Sequence, residues 1–219
     1  MNDLFRWDYV FDHLDEIQAS TLEHLKLTLL AVGVGLLISF PLALLAHRVR
    51  WTYGPITWVT GVMFTIPSLA LFAFLVPFTG LTVLTAEIGL VSYTLLILIR
   101  NIVSALDAVP ADVRESAVGM GLSPGQVMWR VQVPLALPVI LGGVRIATVT
   151  TIGLVTVTAV IGQGGVGTYI LSGLRSLVPT FTILGAALAI ILAVTMDRLL
   201  VLVEKLVTPW ARSRSARTA

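Results

Sequence analysis

The chain has 219 residues, of which 57% are hydrophobic and only 12% charged, with a mean hydropathy of +0.95. Soluble domains carry roughly 25% charged residues, so a water-soluble globule is excluded and the bilayer is the natural solvent. A net charge of +2 gives no ground for nucleic-acid binding, and the lack of cysteine excludes disulfides and thiolate metal sites. His13, His24 and His47 are scattered without ligand spacing, so no metal site is expected.

The first twenty residues, MNDLFRWDYVFDHLDEIQAS, are acidic and aromatic. They lack the basic start and apolar run of a cleavable signal, so the first hydrophobic segment is expected to remain as an anchor. A helix crossing about 30 Å of hydrocarbon needs roughly 20 apolar residues. Five segments qualify: about Leu22–Ala46, Pro55–Phe78, Leu84–Leu106, Leu135–Ile161 and Phe181–Val203. Pro41 and Pro67 interrupt the first two, which membrane helices tolerate where neighbours satisfy the freed carbonyls. No period-2 segments lie between turns, so strands are not expected. The predicted fold is an all-α polytopic membrane protein: an extracytoplasmic segment 1–21, a transmembrane domain 22–204 and a basic cytoplasmic tail 205–219.

Basic residues set the orientation. With the N-terminus outside, the inner segments hold Arg48, Arg50, Arg114, Arg130, Lys205, Arg212, Arg214 and Arg217, and the outer ones only Arg6 and Arg175. The N-terminus is therefore expected outside and the C-terminus inside.

Residues 107–134, DAVPADVRESAVGMGLSPGQVMWRVQVP, form a polar island between the third and fourth spans. Ala111 to Met120 predicts a short helix, with Asp112 and Glu115 towards its positively polarised end. Gly119 and Gly121 weaken or end it. Ser123-Pro124 predicts a second start, serine as cap and proline at the first helical position, and this helix carries Val127, Met128 and Val131 before Pro134. The expectation is a compact knob of two short helices at right angles to the spans. Val113, Ala117 and Met120 share one face of the first helix.

This island resembles the coupling motif of bacterial ABC importer permeases: Glu-Ala-Ala, three residues, Gly, nine residues, then aliphatic, any residue, aliphatic and Pro. Here it runs Glu115-Ser116-Ala117, Gly121 and Val131-Gln132-Val133-Pro134. Every spacing matches, and the departures (one serine and two valines) are small. An ordinary amphipathic surface loop need not meet this spacing. The resemblance implies a short helix docked in a groove of a separate ATPase subunit, with Glu115, Ser116, Ala117, Gly119, Gly121, Val131, Val133 and Pro134 as the coupling residues. It also implies a second permease chain, identical or related, two ATPase copies and an extracytoplasmic substrate-binding protein, in the bacterial cytoplasmic (inner) membrane. No cofactor is expected on this chain; ATP and Mg²⁺ belong to the partner. The stretch from Arg100 through Leu174 looks similar to the osmoprotectant branch, which imports glycine betaine, choline or carnitine. Methionine-type permeases share the length, topology and coupling motif.

The run Gly162-Gln163-Gly164-Gly165-Val166-Gly167 lacks the lysine and hydroxyl residue of a P-loop and follows a membrane span. It predicts a flexible connection into a short outer helix, Thr168 to Leu174. By resemblance this region faces the binding protein, which makes Gly164, Gly165 and Tyr169 docking candidates. Arg145 lies inside the fourth span, where an unpaired charge is costly; a pathway or gate residue, a structural ion pair and a side chain snorkelling to the inner mouth all fit. Thr148 and Thr151, in a run with Thr150, Thr156 and Thr158, either wet a route or bond back to their own helix. Arg100, Asp197 and Arg198 read as interfacial anchors, and Trp7, Trp51, Trp58 and Trp210 as an aromatic belt. No aromatic cluster reads as a cage for a quaternary ammonium.

Two other classes compete. An ion-coupled secondary transporter needs intramembrane carboxylates, and only Glu87 and Asp197 lie well within spans, without an inverted repeat. A membrane scaffold would not need the coupling motif. An enzyme would show a triad, metal cluster or nucleotide motif.

Overall fold

The computed structural model describes residues 6–211. Arg212, Arg214 and Arg217 of the expected tail lie outside the described residues. Within them the chain is helical throughout, with no strand. A short α1 (Trp7–Asp12) leads into α2 (Leu14–Arg48), followed by α3 (Tyr53–Thr65), α4 (Ser68–Thr79) and α5 (Val83–Asp107). Next come α6 (Ala111–Gly119), α7 (Pro124–Val127), α8 (Val133–Val155), α9 (Gly167–Ser176) and α10 (Pro179–Val207).

Four unbroken helical segments are long and apolar enough to cross a membrane, and the pair α3 and α4 makes a fifth, bent span. The two prolines act differently. Pro41 sits inside the 35-residue α2, which continues through it. At Pro67 the chain turns by 95° between α3 and α4. The residue before a proline is pushed out of the α region, and Ile66 is extended (φ −66°, ψ 127°). The expected span Pro55–Phe78, interrupted at Pro67, is therefore two short helices. Tyr93 of α5 donates its hydroxyl to the Ile66 carbonyl, meeting one of the backbone groups the break leaves open.

The fourth span also differs from expectation. It does not begin at Leu135: α7, a π turn (Met128–Gln132) and α8 are continuous, and a 3₁₀ turn (Val157–Ile161) extends them to one segment from Pro124 to Ile161. Pro134 has no N–H to give and would crowd a carbonyl one turn back. The wider π turn just before it is how the helix continues past that position.

In lipid, apolar side chains gain little by leaving the solvent, so helices associate through close packing. α5 is the central post, with 61% of its spanning window buried against 11% for α10. Its Leu98, Ile99 and Ile102 interlock with Val32, Ala43 and Ala46 of α2 and with Ala136, Ile140 and Ala147 of α8. Small residues allow the approach: a Cβ at Gly35 would overlap the Thr94 side chain, and one at Gly143 would overlap Asn101. At the end where α2 begins, the α8–α9 connection folds over α2. Gly165 adopts φ +46°, and a Cβ there would lie 2.7 Å from the backbone nitrogen of His24. His24 is fully buried, and its Nε2 donates to the Ile152 carbonyl at 3.0 Å. That carbonyl is freed because the Thr156 N–H bonds instead to Gly153.

Gly165→Ala should therefore cost about 2 kcal/mol or more, from strain and overlap together. Gly33→Ala, where nothing lies within 4 Å of the new methyl, should cost nothing. Thermal unfolding of the two solubilised variants measures the difference; equal midpoints would contradict the packing described.

Candidate functional site

Three places carry the residues singled out by the sequence. The first is the loop after α5. Asp107, the last residue of α5, accepts from His47 Nδ1 and Arg50 Nη1, both at 2.7 Å. An acidic residue at a helix C-terminus opposes the helix dipole, and these two groups from the α2–α3 corner offset it. The ends of α2 and α5 are thereby tied where the loop begins.

The loop then forms α6 as expected. Its end is a Schellman motif. Gly121 takes φ +84°, its N–H bonds to the Val118 carbonyl at 2.9 Å, and the Leu122 N–H bonds to the Ala117 carbonyl at 3.2 Å. A left-handed residue is required there, so glycine is the residue that fits; Gly119 has open space around it. Ser123 and Gln126 complete a capping box, with the Ser123 N–H on Gln126 Oε1 at 2.8 Å.

One expectation needs correcting. The second helix of the knob is not a separate piece but the first turn of the 38-residue segment through Ile161. Glu115, Ser116, Gly119 and Gly121 are exposed, whereas Ala117 is buried. Met120, expected to share a face with Ala117, is exposed and points outward with Val118 instead. Val131, Val133 and Pro134 are half-buried at the π-to-α transition. Ala111, Arg114, Glu115, Val118 and Gly119 border a shallow cleft of about 490 Å³.

The second place is Arg145. Its Nε and Nη2 both donate to Asp197 Oδ1 of α10, at 2.9 and 2.8 Å, and Nη1 lies 3.6 Å from Glu204 Oε2. Asp197 is thus the partner of Arg145 rather than an interfacial anchor, and Glu204 follows seven residues later on the same helix face. The pair is about one-third exposed, at 31% and 32%. It edges a cleft of about 560 Å³ with Asn101, Gly142, Val149 and Thr150. Thr148 and Thr151 are buried on the opposite side, their hydroxyls donating to the Val144 and Ala147 carbonyls. Thr150, not Thr148 or Thr151, meets open space.

The third place is the far end of the bundle. Gly164, Gly165 and Tyr169 are buried: Gly164 packs on Ala159, Gly165 on His24, and Tyr169 between Ile17 and Leu184. The outward face there belongs to Leu174 and Leu177, 62% and 87% exposed. Tyr9 stacks on His13 (centroids 4.1 Å apart) and meets Phe181 edge-on at 4.8 Å, so these rings brace α1 against α10. Burial raises the Tyr9 phenol above its ordinary pKa, with Tyr169 and Glu16 adding to the shift.

An all-α bundle of spanning helices with a capped, exposed knob between the third and fourth spans is the architecture of a permease subunit. Residues 32–209 match the family described as binding-protein-dependent transport system inner membrane component, and the chain belongs to that family. It is a multi-pass inner-membrane transport subunit. It is 37% identical over 206 residues to the osmoprotectant import permease protein OsmW of Salmonella typhimurium, covering 92% of this chain and 96% of that one. It is 35% identical over 199 residues to the choline transport system permease protein OpuBB of Bacillus subtilis, covering 91% and 92%. The fold matches that of the inward-facing MetNI methionine ABC transporter with a TM-score of 0.79 at 21% identity, over 90% of this chain and 98% of that one.

Asp197→Asn should strip the Arg145 guanidinium of its two short carboxylate contacts, leaving only Glu204 at 3.6 Å, and lower stability by about 1–3 kcal/mol. Arg145→Gln combined with Asp197→Asn should recover part of that loss. Thermal unfolding of the single and double variants gives the coupling; strict additivity would contradict the pair.

Proposed function

We propose that this chain is the substrate-conducting subunit of an ATP-driven importer for a quaternary-ammonium osmoprotectant such as glycine betaine, choline or carnitine. The carrying observation is the exposed knob, with its Glu115-Ser116-Ala117 and Gly121 spacing, on a chain whose relatives over nine-tenths of its length are named osmoprotectant and choline permeases.

In this reading α6 seats in a groove of a separate ATPase subunit, which holds ATP and Mg²⁺; the chain itself hydrolyses nothing. Exposed Val118 and Met120 supply apolar contact, and Gly121 sets the turn that presents them. Two permease chains, identical or related, pair with two ATPase copies, and an extracytoplasmic binding protein delivers the cargo. The N-terminus (residues 1–21) lies outside, the transmembrane domain spans 22–204, and the basic tail 205–219 lies in the cytoplasm. Arg48, Arg50, Arg114 and Arg130 cluster at the knob end, which supports this orientation. Closing of the ATPases moves the knobs together and opens the route outward; their release opens it inward. Arg145 with Asp197 serves as a latch between α8 and α10 along that route. Docking of the binding protein falls to the outer end around α9, with Gly164, Gly165 and Tyr169 shaping that end from beneath.

ATP-dependent uptake in vesicles holding this chain with its co-encoded partners tests this directly. Labelled choline or glycine betaine should accumulate and methionine should not. Gly121→Val, which forces a β-branched residue into the left-handed region, should reduce uptake at least about tenfold, and Glu115→Ala should reduce it less. Methionine uptake instead would discard the substrate assignment. Accumulation that follows an ion gradient, indifferent to ATP and to both substitutions, would overturn the whole reading.

A further inference from the structure

Glu87 is on α5, one turn in from its start at Val83. It is only 8% exposed, and neither carboxylate oxygen has a hydrogen-bond partner. It lines a cleft of about 570 Å³ between α2 and α5, whose other walls include Leu30, Val34, Ile38, Leu84, Ile88 and Val91. The one other polar side chain there, Ser92, donates its hydroxyl to the Ile88 carbonyl at 2.6 Å. Among the described residues, no lysine, arginine or histidine borders the cleft.

An ionised carboxylate buried like this is costly unless a cation meets it; without one the group holds its proton. The walls restrict which cation. A divalent metal wants several oxygen ligands, and the cleft offers one carboxylate; among the described residues no group of three or more acidic or histidine side chains could hold a metal ion. A primary ammonium carries three donors, two of which would face aliphatic walls. A trimethylammonium group has a full positive charge, no N–H and a surface of methyl groups. One carboxylate set among aliphatic side chains matches it.

We propose that Glu87 and the α2–α5 cleft form a binding site for the trimethylammonium end of the permeating molecule. Leu30, Ile38 and Leu84 are 51%, 39% and 59% exposed, so the cleft opens at the surface of the single chain and a ligand can enter from the side. The charge comes from Glu87 and the methyl contacts from α2 and α5; among the described residues no aromatic ring lines the cleft. The identity of the cation rests on the osmoprotectant reading above, whereas the case for a cation rests on the burial of Glu87 and the lining of its cleft.

The test uses the complete transporter in nanodiscs. This chain has no native cysteine, so Ile88→Cys places a single thiol on it at the cleft. Its modification rate by a small uncharged methanethiosulfonate is followed with choline or with 3,3-dimethylbutan-1-ol, the neutral carbon analogue of choline. Choline should protect the thiol about tenfold better than its analogue, and adding Glu87→Gln should erase that preference. In vesicle uptake, Glu87→Gln alone should raise the KM for choline about tenfold, with Glu87→Asp falling between it and the parent. Equal protection by the two compounds, or a preference unchanged by Glu87→Gln, would overturn the site even if choline uptake is robust. A disulfide joining two copies of the Ile88→Cys chain would also overturn it, since a second copy would then fill the cleft. If choline-selective protection depends on Glu87 but the parent takes up no quaternary amine, the site stands and the osmoprotectant function falls.

Discussion

The seam between α2 and α5 is the contact on which the remaining structure depends. In a bilayer, two helices stay together only if their surfaces fit closely, because lipid chains solvate leucine as well as another leucine does. Gly35 against Thr94 brings the axes near enough for Val32, Ala43 and Ala46 to lock into Leu98, Ile99 and Ile102. With that seam made, α5 can receive α8 on another side, where Gly143 admits Asn101, and α4, where Gly89 admits Phe72. The outer parts are held differently. α10 buries little of its spanning length and is joined to α8 by the Arg145–Asp197 pair, while α3 and α4 are set at 95° by Pro67. The result is a closely packed centre with looser flanks, a division suited to a subunit whose route must open on alternate sides.

The knob is attached to that centre at both ends. On one side Asp107 binds His47 and Arg50, so the last turn of α5 and the α2–α3 corner act as one anchor. On the other side the chain leaves Gly121 through a capping box and enters a helix that runs without a break to Ile161. A force applied to α6 would pass through the Gly121 turn and then reach Arg145 along a continuous hydrogen-bonded rod. Between Pro124 and Arg145, the π turn at Met128–Gln132 is the one place where that rod changes register. It lies where Val131 and Val133 of the motif sit, next to Pro134.

The two acidic side chains well inside the spans have opposite circumstances. Asp197 has its arginine, with Glu204 nearby, and needs nothing further. Glu87 has no partner in an aliphatic cleft. Burial without compensation is tolerated at places where a ligand completes the site. That difference sets an acid already paired within the fold apart from one left without a partner, although both residues look alike as isolated acids in apolar text.

The sequence by itself determined the class of molecule, the five apolar segments, the short helix from Ala111 and the turns at Gly121 and Ser123. These follow from composition, from the number of apolar residues a bilayer demands and from local backbone chemistry, all encoded within a few neighbouring residues. It left open whether Arg145 gates or pairs, since Asp197 is 52 residues away and helix rotation decides which side chains meet. The resemblance also offered Gly164, Gly165 and Tyr169 as docking candidates, whereas the fold packs them against Ala159, His24, and Ile17 with Leu184, respectively. Proline bends likewise could not be ranked in advance: Pro41 and Pro67 read the same, and only packing against α5, with Tyr93 answering the Ile66 carbonyl, made one of them a 95° turn. Tertiary structure settled these points because each depends on which faces of distant helices are pressed together, and no local pattern carries that information.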